Sequence, residues 1–416
     1  MNIYSIDQLV ALAKSCSPIY REHYRDLRHT ATLTDLPVLS NETLMEIVHA
    51  RQPDFVFGEG AMHGIVFESS ASTGKPKVTL FGRDEWEAST RLLSTQLWRT
   101  GLLRDRDRVS NLCATPYISY RIVHSVLERF PGRCSEIPIG CDRSYPQLNE
   151  MVVRYGSNVL TGINSTILGL AIDLLSRGEK NERIERILAG GELLYGAQQQ
   201  IIERAFPRAA LLSFMFGTTE SGVIGYSELD DGPDVFRALP GAGIVEIVDE
   251  ETHDVIGMTS EKGKCVVTSL LRVAAPAIRI DTGDYAEWID GPDVTSRRFR
   301  LLGRKFPFVH TLGDATFNET HVWALIQAVG KDVGLIKLQA EIYSNRVEIV
   351  YTLADAPRHG DADVTGALTA ATRCCLPMLN DAGVPVFVRP EPFSHFAEST
   401  RRKGRLIADC RAPQTI

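Results

Sequence analysis

The sequence predicts an α/β protein with a large N-terminal domain of several subdomains and a small α+β C-terminal domain. In the middle of the chain, short apolar runs alternate with amphipathic stretches, which is typical of parallel strands joined by crossover helices. From about Gly232 the pattern changes to strands and turns, which indicates a β-rich subdomain with mixed sheets. The length of 416 residues also exceeds the usual size of a single core, so more than one domain is expected.

The first hundred residues carry three helix patterns. Asp7 is expected to cap a helix that contains Leu9 and Leu12, and Asn41 is expected to cap a second helix. Asp84 is expected to cap a third, in which bulky apolar residues recur near helical spacing.

The strands are predicted from apolar and β-branched runs. Those expected in a parallel sheet are Val109–Cys113, Val159–Thr161, Ile187–Ala189 and Leu211–Met215. Those expected in the β-rich part are Gly243–Val248, Lys264–Ser269, Arg279–Ile280 and Phe299–Leu302.

The C-terminal region combines a hairpin with a helix. Ser344-Asn345 separates two strictly alternating runs, which is a hairpin signature, and Pro377 is expected to end a helix. A boundary near Gly303-Arg304 divides the chain into domains 1–304 and 305–416. The elements expected after it are strands at Ile336–Ile342, Val347–Tyr351 and Val384–Val388 and a helix at Val364–Cys375.

Composition excludes several classes of protein. A net charge of −7 argues against a nucleic-acid-binding protein, which normally carries a basic excess. The eight cysteines are scattered without a C-x-x-C pair, so reduced thiols in the cytoplasm are expected rather than a zinc site or a disulfide framework. We expect neither a signal peptide nor a membrane span, because no basic segment precedes an apolar one and no run of about 18 apolar residues occurs.

The stretch Glu68–Phe81, ESSASTGKPKVTLF, is a candidate phosphate-binding loop. It is not a Walker loop, because Gly74-Lys75 is followed by Pro76 and not by a metal-binding Ser or Thr. Its flanks are β-branched or aromatic, so the loop is expected to join two strands and to hold phosphate through backbone N–H groups and hydroxyls. The alternative is a polar surface turn, because Ser, Thr, Gly and Pro are ordinary turn residues.

Four further segments each allow a chemical and a structural interpretation. Gly190-Gly191 lets the backbone approach a planar ligand, or makes a turn. Phe216–Glu220 offers an aromatic ring, two hydroxyls and a carboxylate, or begins a helix. Asp284 accepts ribose hydroxyls or caps a turn, and Lys403 neutralises a developing charge or belongs to a solvated basic turn.

Taken together and in this order, the segments resemble the acyl-adenylate-forming enzymes, and among them the phenylacetate–coenzyme A ligase branch. Ser69–Pro76 matches the phosphate loop of that family, [ST]-S-G-T-T-G-K-P, with Ala71 in place of a glycine. The likeness extends from about residue 10 to about residue 408. The other matching segments are Ser17–Arg21, Leu36–Leu39, Phe216–Glu220, Thr282–Asp284 and Gly303-Arg304.

The resemblance implies two half-reactions. A carboxylate attacks the α-phosphorus of ATP, releasing pyrophosphate and leaving an acyl-adenylate, and coenzyme A then displaces AMP. It implies Mg²⁺ as a cofactor with Glu220 as its ligand, and Thr219, Glu220 and Lys403 as catalytic residues, with Lys403 on a mobile C-terminal domain. The ATP-binding residues that it implies are Ser70, Ser72, Thr73, Gly74, Lys75, Gly191, Glu192, Phe216, Gly217, Thr218, Asp284 and Arg304.

The resemblance also implies individual roles within that set. Phe216 would stack on adenine, while the backbone at Gly191-Glu192 reads the edge of the base. Asp284 and Arg304 would fix the ribose. The residues expected by position to line the acid pocket are Tyr117, Tyr120, Thr161, Gly162, Phe214 and Met215. This aromatic set favours an aryl or arylacetic acid, although Tyr and Phe are equally ordinary core residues.

Three positions depart from the family pattern. Ala71 replaces a glycine, Phe306 stands where the family places a hinge aspartate, and Lys403 precedes Gly404-Arg405 where relatives have a Gly-Lys order. Two alternatives stay open. One is an adenylating enzyme of a biosynthetic pathway that transfers to a carrier-protein thiol, a cysteine or an amine. The other is a catalytically degenerate nucleotide-binding protein. The expected partners are a small carboxylic acid and coenzyme A or a carrier-protein thiol, with no nucleic acid or membrane, and a homodimer is allowed.

Overall fold

The structure is a computed structural model. It describes residues 3–27, 32–40, 43, 63–68, 78–115, 117–192, 194, 196–304, 309–329, 334–353, 361–396 and 406–411. None of the described helices has both the length and the apolar character that a membrane crossing requires.

The N-terminus folds into two consecutive helices, α1 at Ile6–Cys16 and α2 at Pro18–His23. Helix α1 begins with a capping box, in which the hydroxyl of Ser5 accepts the backbone N–H of Gln8 and the amide oxygen of Gln8 accepts the backbone N–H of Ser5, at 3.3 and 2.9 Å. The predicted cap at Asp7 is therefore wrong by two residues. Asp7 lies in the first turn, where its negative charge favours the helix dipole.

A hairpin precedes the third helix. Strands β1, Gly64–Glu68, and β2, Val78–Gly82, pair antiparallel, which confirms that the candidate phosphate loop connects two strands. The loop itself, residues 69–77, lies outside the described residues, as does the predicted cap at Asn41. Helix α3 follows directly at Arg83–Arg99 and begins after Gly82, so the predicted cap at Asp84 is also wrong by two residues.

The middle of the chain forms a five-stranded parallel sheet, as predicted. Its spatial order is β4-β3-β5-β6-β7, and every neighbouring pair is parallel. This order is that of a doubly wound fold with its topological switch between β3 and β5. The strands are β3 at Arg108–Asn111, β4 at Ser135–Pro138, β5 at Val159–Ile163, β6 at Arg186–Gly190 and β7 at Ala210–Ser213.

Helices cover both faces of this sheet. Helices α3 and α4 pack on one face against Val109 and Val159, while α5, α6 and α7 cover the other face against Leu160 and Ile187. Strands buried on both faces read as continuous apolar runs, which is why the sequence pattern located β3, β5, β6 and β7. It did not locate β4, which lies at the edge of the sheet. The helices are α4 at Ile118–Glu128, α5 at Tyr145–Arg154, α6 at Asn164–Ser176 and α7 at Gly196–Ala205.

A buried ion pair lies near the amino ends of the parallel strands. The guanidinium of Arg186 donates to both carboxylate oxygens of Asp107, at 3.0 and 2.8 Å. The same carboxylate accepts the backbone N–H of Arg104 at 2.6 Å and the side-chain amide of Asn158 at 3.0 Å. These bonds tie β6 to the segments that precede β3 and β5.

A seven-stranded antiparallel sheet follows, in the order β11-β12-β13-β14-β10-β9-β8. It begins before Gly232, because β8 and β9 belong to it, and the strand expected at Arg279–Ile280 instead runs from Ile280 to Trp288. The strands are β8 at Phe216–Thr218, β9 at Gly222–Tyr226, β10 at Val235–Ala238, β11 at Gly243–Val248, β12 at Gly263–Ser269, β13 at Ile280–Trp288 and β14 at Arg298–Arg304.

The C-terminal region contains a small hairpin and a four-stranded sheet in the order β19-β18-β17-β20. The predicted hairpin is confirmed, and its turn is closed by the backbone N–H of Tyr343, which donates to the carbonyl of Arg346 at 2.9 Å. The strands are β15 at His310–Leu312, β16 at Ala315–Phe317, β17 at Leu335–Ile342, β18 at Val347–Leu353, β19 at Val386–Pro390 and β20 at Ile407–Asp409.

Helices pack on one face of that sheet around a hydrophobic cluster of their own, which includes Leu338 and Leu368. The helix predicted to end before Pro377 does so, while β19 begins two residues later than expected. The helices are α8 at Glu319–Val329, α9 at Asp361–Cys375 and α10 at Pro377–Asp381.

Candidate active site

Four parallel strands deliver the predicted site residues to one edge of the sheet. The carboxyl ends of parallel strands meet at the same edge, and ligands of doubly wound sheets bind there, beside the topological switch. The backbone N–H of Leu112 donates to the carbonyl of Thr161 at 2.8 Å, which joins the ends of β3 and β5 at that switch. The predicted residues at this edge are Tyr117, Tyr120, Thr161, Gly162, Gly191, Glu192, Phe214 and Met215.

The turn after β6 leaves backbone open on one side. A Cβ built on Gly190 meets no described atom within 4 Å, and Gly191 has φ 85°, a backbone conformation that favours glycine. Two side chains at the start of α6 hold Glu192: the amide of Asn164 donates to its carbonyl, and the hydroxyl of Ser165 donates to its carboxylate, both at 2.5 Å. The geometry suits a flat ligand laid against this backbone.

A lysine of the C-terminal sheet lies close to this turn. Lys337 on β17 is 7% exposed, and its burial lowers its pKa, while the negative charge of Glu192 opposes that shift. Helix α7 contacts the same strand, because the side-chain amide of Gln198 donates to the carbonyl of Ile336 at 2.6 Å. Sequence reasoning missed Lys337, because an alternating polar position in a hairpin strand indicates a solvent-facing side chain.

A tight turn between β8 and β9 presents Thr219 and Glu220. Thr218 and Ser221 close it reciprocally, because each backbone N–H donates to the hydroxyl of the other residue at 3.1 Å. The hydroxyl of Thr218, predicted to bind ATP, is therefore engaged in the turn. Position 217 requires glycine, because the two strands approach closely here and a Cβ would lie 2.0 Å from a backbone oxygen across the turn.

The ring of Phe216 points into the core. It is 5% exposed, and its centroid lies 5.5 Å from that of Phe236 and 5.3 Å from that of Phe299. A ring buried in this way has little face left for a nucleobase. Phe216 thus contributes to the core of the antiparallel sheet, and its stacking on adenine stays a prediction.

Asp284 and Arg304 lie directly opposite each other on β13 and β14, with 3.3 Å between the carboxylate and Nε of the guanidinium. The backbone around Asp284 is fixed locally, since its N–H donates to the hydroxyl of Thr282 at 3.1 Å. Gly283, with φ 77°, lies where the pairing of β13 with the neighbouring strand β12 shifts register. Sequence reasoning predicted that these two residues act together, and the structure brings them together; their role toward a ribose stays a prediction.

The expected acid-pocket residues divide into two groups. Tyr117 and Tyr120 are partly exposed, whereas Thr161 and Phe214 are buried. The hydroxyl of Thr161 donates to the carbonyl of Ser110 at 3.3 Å, so it is used within the sheet. Thr161 and Phe214 thus serve the packing of the sheet, and the partly exposed side chains of Tyr117, Tyr120 and Met215 are left to contact a ligand.

A polar cluster beside Tyr120 was missed. The imidazole of His124 stacks on the Tyr120 ring at 6.3 Å between centroids, and its Nδ1 lies 2.6 Å from the carboxylate of Glu136. The amide of Asn111 donates to the other oxygen of that carboxylate at 2.8 Å. The three polar residues come from α4, β4 and β3, so no local sequence pattern marks them.

Several predicted site residues lie outside the described residues. They are Ser70, Ser72, Thr73, Gly74, Lys75 and Lys403, together with Ala71, Phe306 and Arg405.

The described residues fit Mg²⁺ bound with a nucleotide rather than by a protein cage. Among them, no three His, Cys, Asp or Glu side chains cluster as metal ligands. Mg²⁺ is usually held by one or two carboxylates and by phosphate oxygens. Glu220 would be the carboxylate that holds it here, and this role stays a prediction.

No family model matches the sequence, and no curated protein matches it. Solved structures do match. The structure of 2-hydroxyisobutyryl-CoA ligase in the postadenylation state, in complex with R3-HIB-AMP, superposes with a TM-score of 0.71 over 97% of this chain and 88% of that chain, at 18% identity. The chain has the fold of the acyl-adenylate-forming enzymes.

Two further structures share this fold, but the match extends over a smaller part of each of those chains. ATP-bound MatB from Rhodopseudomonas palustris matches with a TM-score of 0.50 at 15% identity, over 78% of this chain and 63% of that chain. The McyG A-PCP protein complexed with phenylalanyl-adenylate matches with a TM-score of 0.50 at 12% identity, over 81% and 64%. The mixed α/β fold class is thereby confirmed, while the phenylacetate–coenzyme A ligase branch stays a prediction.

Proposed function

We propose that the protein activates an aromatic carboxylic acid with ATP, releases pyrophosphate and transfers the acyl group from the acyl-adenylate to coenzyme A. One observation carries the proposal. The chain has a fold shared with acyl-adenylate-forming enzymes. Within it, three segments that the motifs predict to bind ATP have suitable local geometry: the open backbone at Gly190-Gly191, the Thr219–Glu220 turn and the Asp284–Arg304 pair.

The task of the chain in the first half-reaction is to position two anions and to neutralise their charge. The backbone after β6 takes the adenine, and Asp284 with Arg304 holds the ribose. The loop at residues 69–77 cradles the leaving phosphates, and Thr219 donates to the α-phosphate. When bound by Glu220, Mg²⁺ supplies positive charge to the phosphate oxygens.

We further propose that residues 305–416 form a mobile domain that carries Lys403. This lysine approaches the α-phosphate for adenylation and withdraws for transfer, a gating motion of the lid type. A compact ammonium on a flexible stem suits this role better than the rigid fork of Arg405. Lys403→Ala should therefore cripple adenylation but spare transfer from a synthetic acyl-adenylate, and Arg405→Ala should do much less. Exchanged phenotypes would assign the role to Arg405.

The acid is proposed to be aromatic because Tyr117 and Tyr120 are partly exposed aromatic side chains beside the switch between β3 and β5. Tyr120→Ala should change the order of preference among acids while leaving the KM for ATP unchanged. An unchanged acid preference would place the pocket elsewhere.

The decisive experiment is exchange of labelled pyrophosphate into ATP across a panel of aromatic and aliphatic acids. We expect exchange with at least one aromatic acid. Glu220→Ala should lower the rate on the order of a hundredfold or more, as loss of one electrostatic stabiliser typically does. The matched control is Glu261→Ala, because Glu261 is an exposed carboxylate outside the site. ATP binding without exchange for any acid would support the degenerate nucleotide-binding protein instead.

The acceptor is tested directly by supplying the activated acid with coenzyme A, a carrier-protein thiol, cysteine or an amine. A higher kcat/KM with coenzyme A than with the other acceptors supports the proposal. A higher value with another acceptor would identify that compound as the acyl acceptor instead. All eight cysteines lie within the described residues as unbridged thiols, which supports a reducing compartment such as the cytoplasm.

A further inference from the structure

Arg272 lies in the segment after β12 and is buried, at 2% exposed. Its Nη2 donates to the hydroxyl of Thr79 at 2.9 Å and to the carbonyl of Leu80 at 2.6 Å. Both acceptors are on β2, the strand by which the chain leaves the candidate phosphate loop. The buried guanidinium of Arg272 thus holds β2 in place through two hydrogen bonds.

The same guanidinium reaches the Glu220 turn through one aromatic ring. Its central carbon lies 3.6 Å from the centroid of Phe81, also on β2. The ring of Phe81 packs in turn on Gly222, where a Cβ would lie 2.8 Å from Cε1 of the ring. Gly222, with φ 73°, comes directly after the turn that presents Thr219 and Glu220. Arg272, Phe81 and that turn therefore form one continuous stack.

The charge of Arg272 is balanced from two sides. Its Nε lies 3.7 Å from the carboxylate of Glu85. That carboxylate also accepts three backbone N–H groups, those of Gly82 at 3.0 Å, Val273 at 2.7 Å and Ala274 at 2.6 Å. Burial lowers the pKa of Arg272 to about 10, and the negative charges of Glu85 and Glu220 oppose that shift, so the guanidinium is charged at neutral pH.

We propose that Arg272 is a positioning residue that couples β2, the strand after the candidate phosphate loop, to the Glu220 turn, so that this strand and the carboxylate are aligned before Mg²⁺·ATP binds. The proposal rests on the proposed function, since it assigns Arg272 to the same nucleotide site. It acts through β2 and Phe81 and through its charge near Glu220, and it requires no contact of Arg272 with substrate.

The chemistry of the cluster requires arginine in particular. A planar guanidinium can stack on Phe81 and still donate two hydrogen bonds in its own plane. Lysine at this position keeps the charge but loses the stacking and the fork, and methionine keeps much of the volume but loses the charge. The two substitutions thus separate charge from geometry.

The test measures Mg²⁺·ATP binding and its dependence on Mg²⁺ concentration, without acid, for wild type, Arg272→Lys and Arg272→Met. We expect Arg272→Met to lower the affinity for Mg²⁺·ATP on the order of tenfold to a hundredfold, which is the loss that corresponds to removing a charge-assisted hydrogen bond. Arg272→Lys should recover part of the Mg²⁺ dependence, because the charge near Glu220 is kept. In the exchange assay, the KM for ATP should rise while the KM for the acid stays the same.

Arg186→Met is the matched control, because Arg186 is equally buried but lies at the opposite edge of the parallel sheet. It should lower stability without changing the affinity for Mg²⁺·ATP. If Arg272→Met fails to fold, Arg272→Lys and Thr79→Val, which removes the hydroxyl acceptor on β2, carry the test, and each should weaken nucleotide binding.

The outcomes separate the two proposals. Weakened Mg²⁺·ATP binding in the folded Arg272 variants supports the coupling, whether or not any acid supports exchange. Absence of exchange with every acid refutes acid adenylation and leaves the coupling intact. Wild-type nucleotide affinity and Mg²⁺ dependence in the folded Arg272 variants overturn the coupling, whatever the exchange assay shows. A wild-type protein that does not bind Mg²⁺·ATP overturns both.

Discussion

Replacing Arg186 by methionine should destabilise the protein strongly, because it leaves Asp107 as a buried charge without its cation. Asp107 and Arg186 are 3% and 2% exposed at their side chains, so solvent and salt screen the pair little. Breaking a buried pair by removing one partner typically costs about 3–5 kcal/mol. Asp107 keeps its bonds from Arg104 and Asn158, so we expect a loss in the free energy of unfolding near the lower end, about 3 kcal/mol.

The double variant Arg186→Met/Asp107→Leu should recover part of that loss, because apolar replacement of both partners removes the unpaired charge. Arg91→Met is the control. Arg91 and Glu87 form an ion pair at 2.6 Å whose side chains are 60% and 51% exposed, and such surface pairs contribute about 0.3–0.5 kcal/mol.

The assay is urea unfolding followed by tryptophan fluorescence, with variants compared at equal m-values so that stability and not compactness is measured. The rate of pyrophosphate exchange per folded molecule should not change, because the pair lies at the amino edge of the sheet, away from the candidate site. A loss below about 1 kcal/mol for Arg186→Met would refute the reasoning, since a buried carboxylate cannot lose its cation at so small a cost.

Three further predictions concern single residues. Gly190→Ala should fold normally but weaken nucleotide binding, because the space over Gly190 is open to a ligand, whereas Gly257→Ala, with equally open space outside the site, should leave binding unchanged in the same titration. Gly217→Ala should abolish exchange and lower the melting temperature, because its Cβ would overlap a backbone oxygen; normal exchange would mean that the turn relaxes. Arg298 lowers the pKa of Asp290 to about 2, below the value of about 3.9 in an unfolded chain, so the pair stabilises the protein above pH 4 and loses that effect as the pH falls through 2. The stability difference between wild type and Asp290→Asn should accordingly be largest above pH 4 and shrink toward pH 2 in acid-unfolding curves.

Two capping errors were readable from the sequence. Ser5 and Gln8 have the S-x-x-Q spacing of a capping box, so the start of α1 was present in the pattern and Asp7 was the wrong choice within it. At α3, the carboxylate of Glu85 accepts the backbone N–H of Gly82 in the same relation. In both cases the side chain three positions along accepts the backbone N–H of the N-cap residue. Ser5 returns a hydrogen bond through its hydroxyl, whereas Gly82 has no side chain with which to do so.

The surroundings of two residues in the candidate site were not readable in the same way. Phe216 carries the aromatic ring that a nucleobase site needs, but its ring is buried by Phe236 and Phe299, which come from strands far along the chain. Lys337 alternates with apolar neighbours as a solvent-facing residue would, yet the face of β17 that carries it is buried. Neither fact has a local signature, because burial depends on which element covers a strand.

The sequence by itself indicated strands in each of the larger sheets, the hairpins β1–β2 and β17–β18 and the order of the motifs, because periodicity and turn chemistry act between residues a few positions apart. It did not indicate β4, β8, β9, β10, β15, β16 or β20. Tertiary structure alone decided which side chains act together. Arg272 bonds Thr79, 193 positions away, and the buried charge of Arg272 is compatible with the fold only because β2, Glu85 and the Glu220 turn converge on it. A buried charge needs partners around it, and these partners are brought together by the packing of the antiparallel sheet against the β1–β2 hairpin and α3.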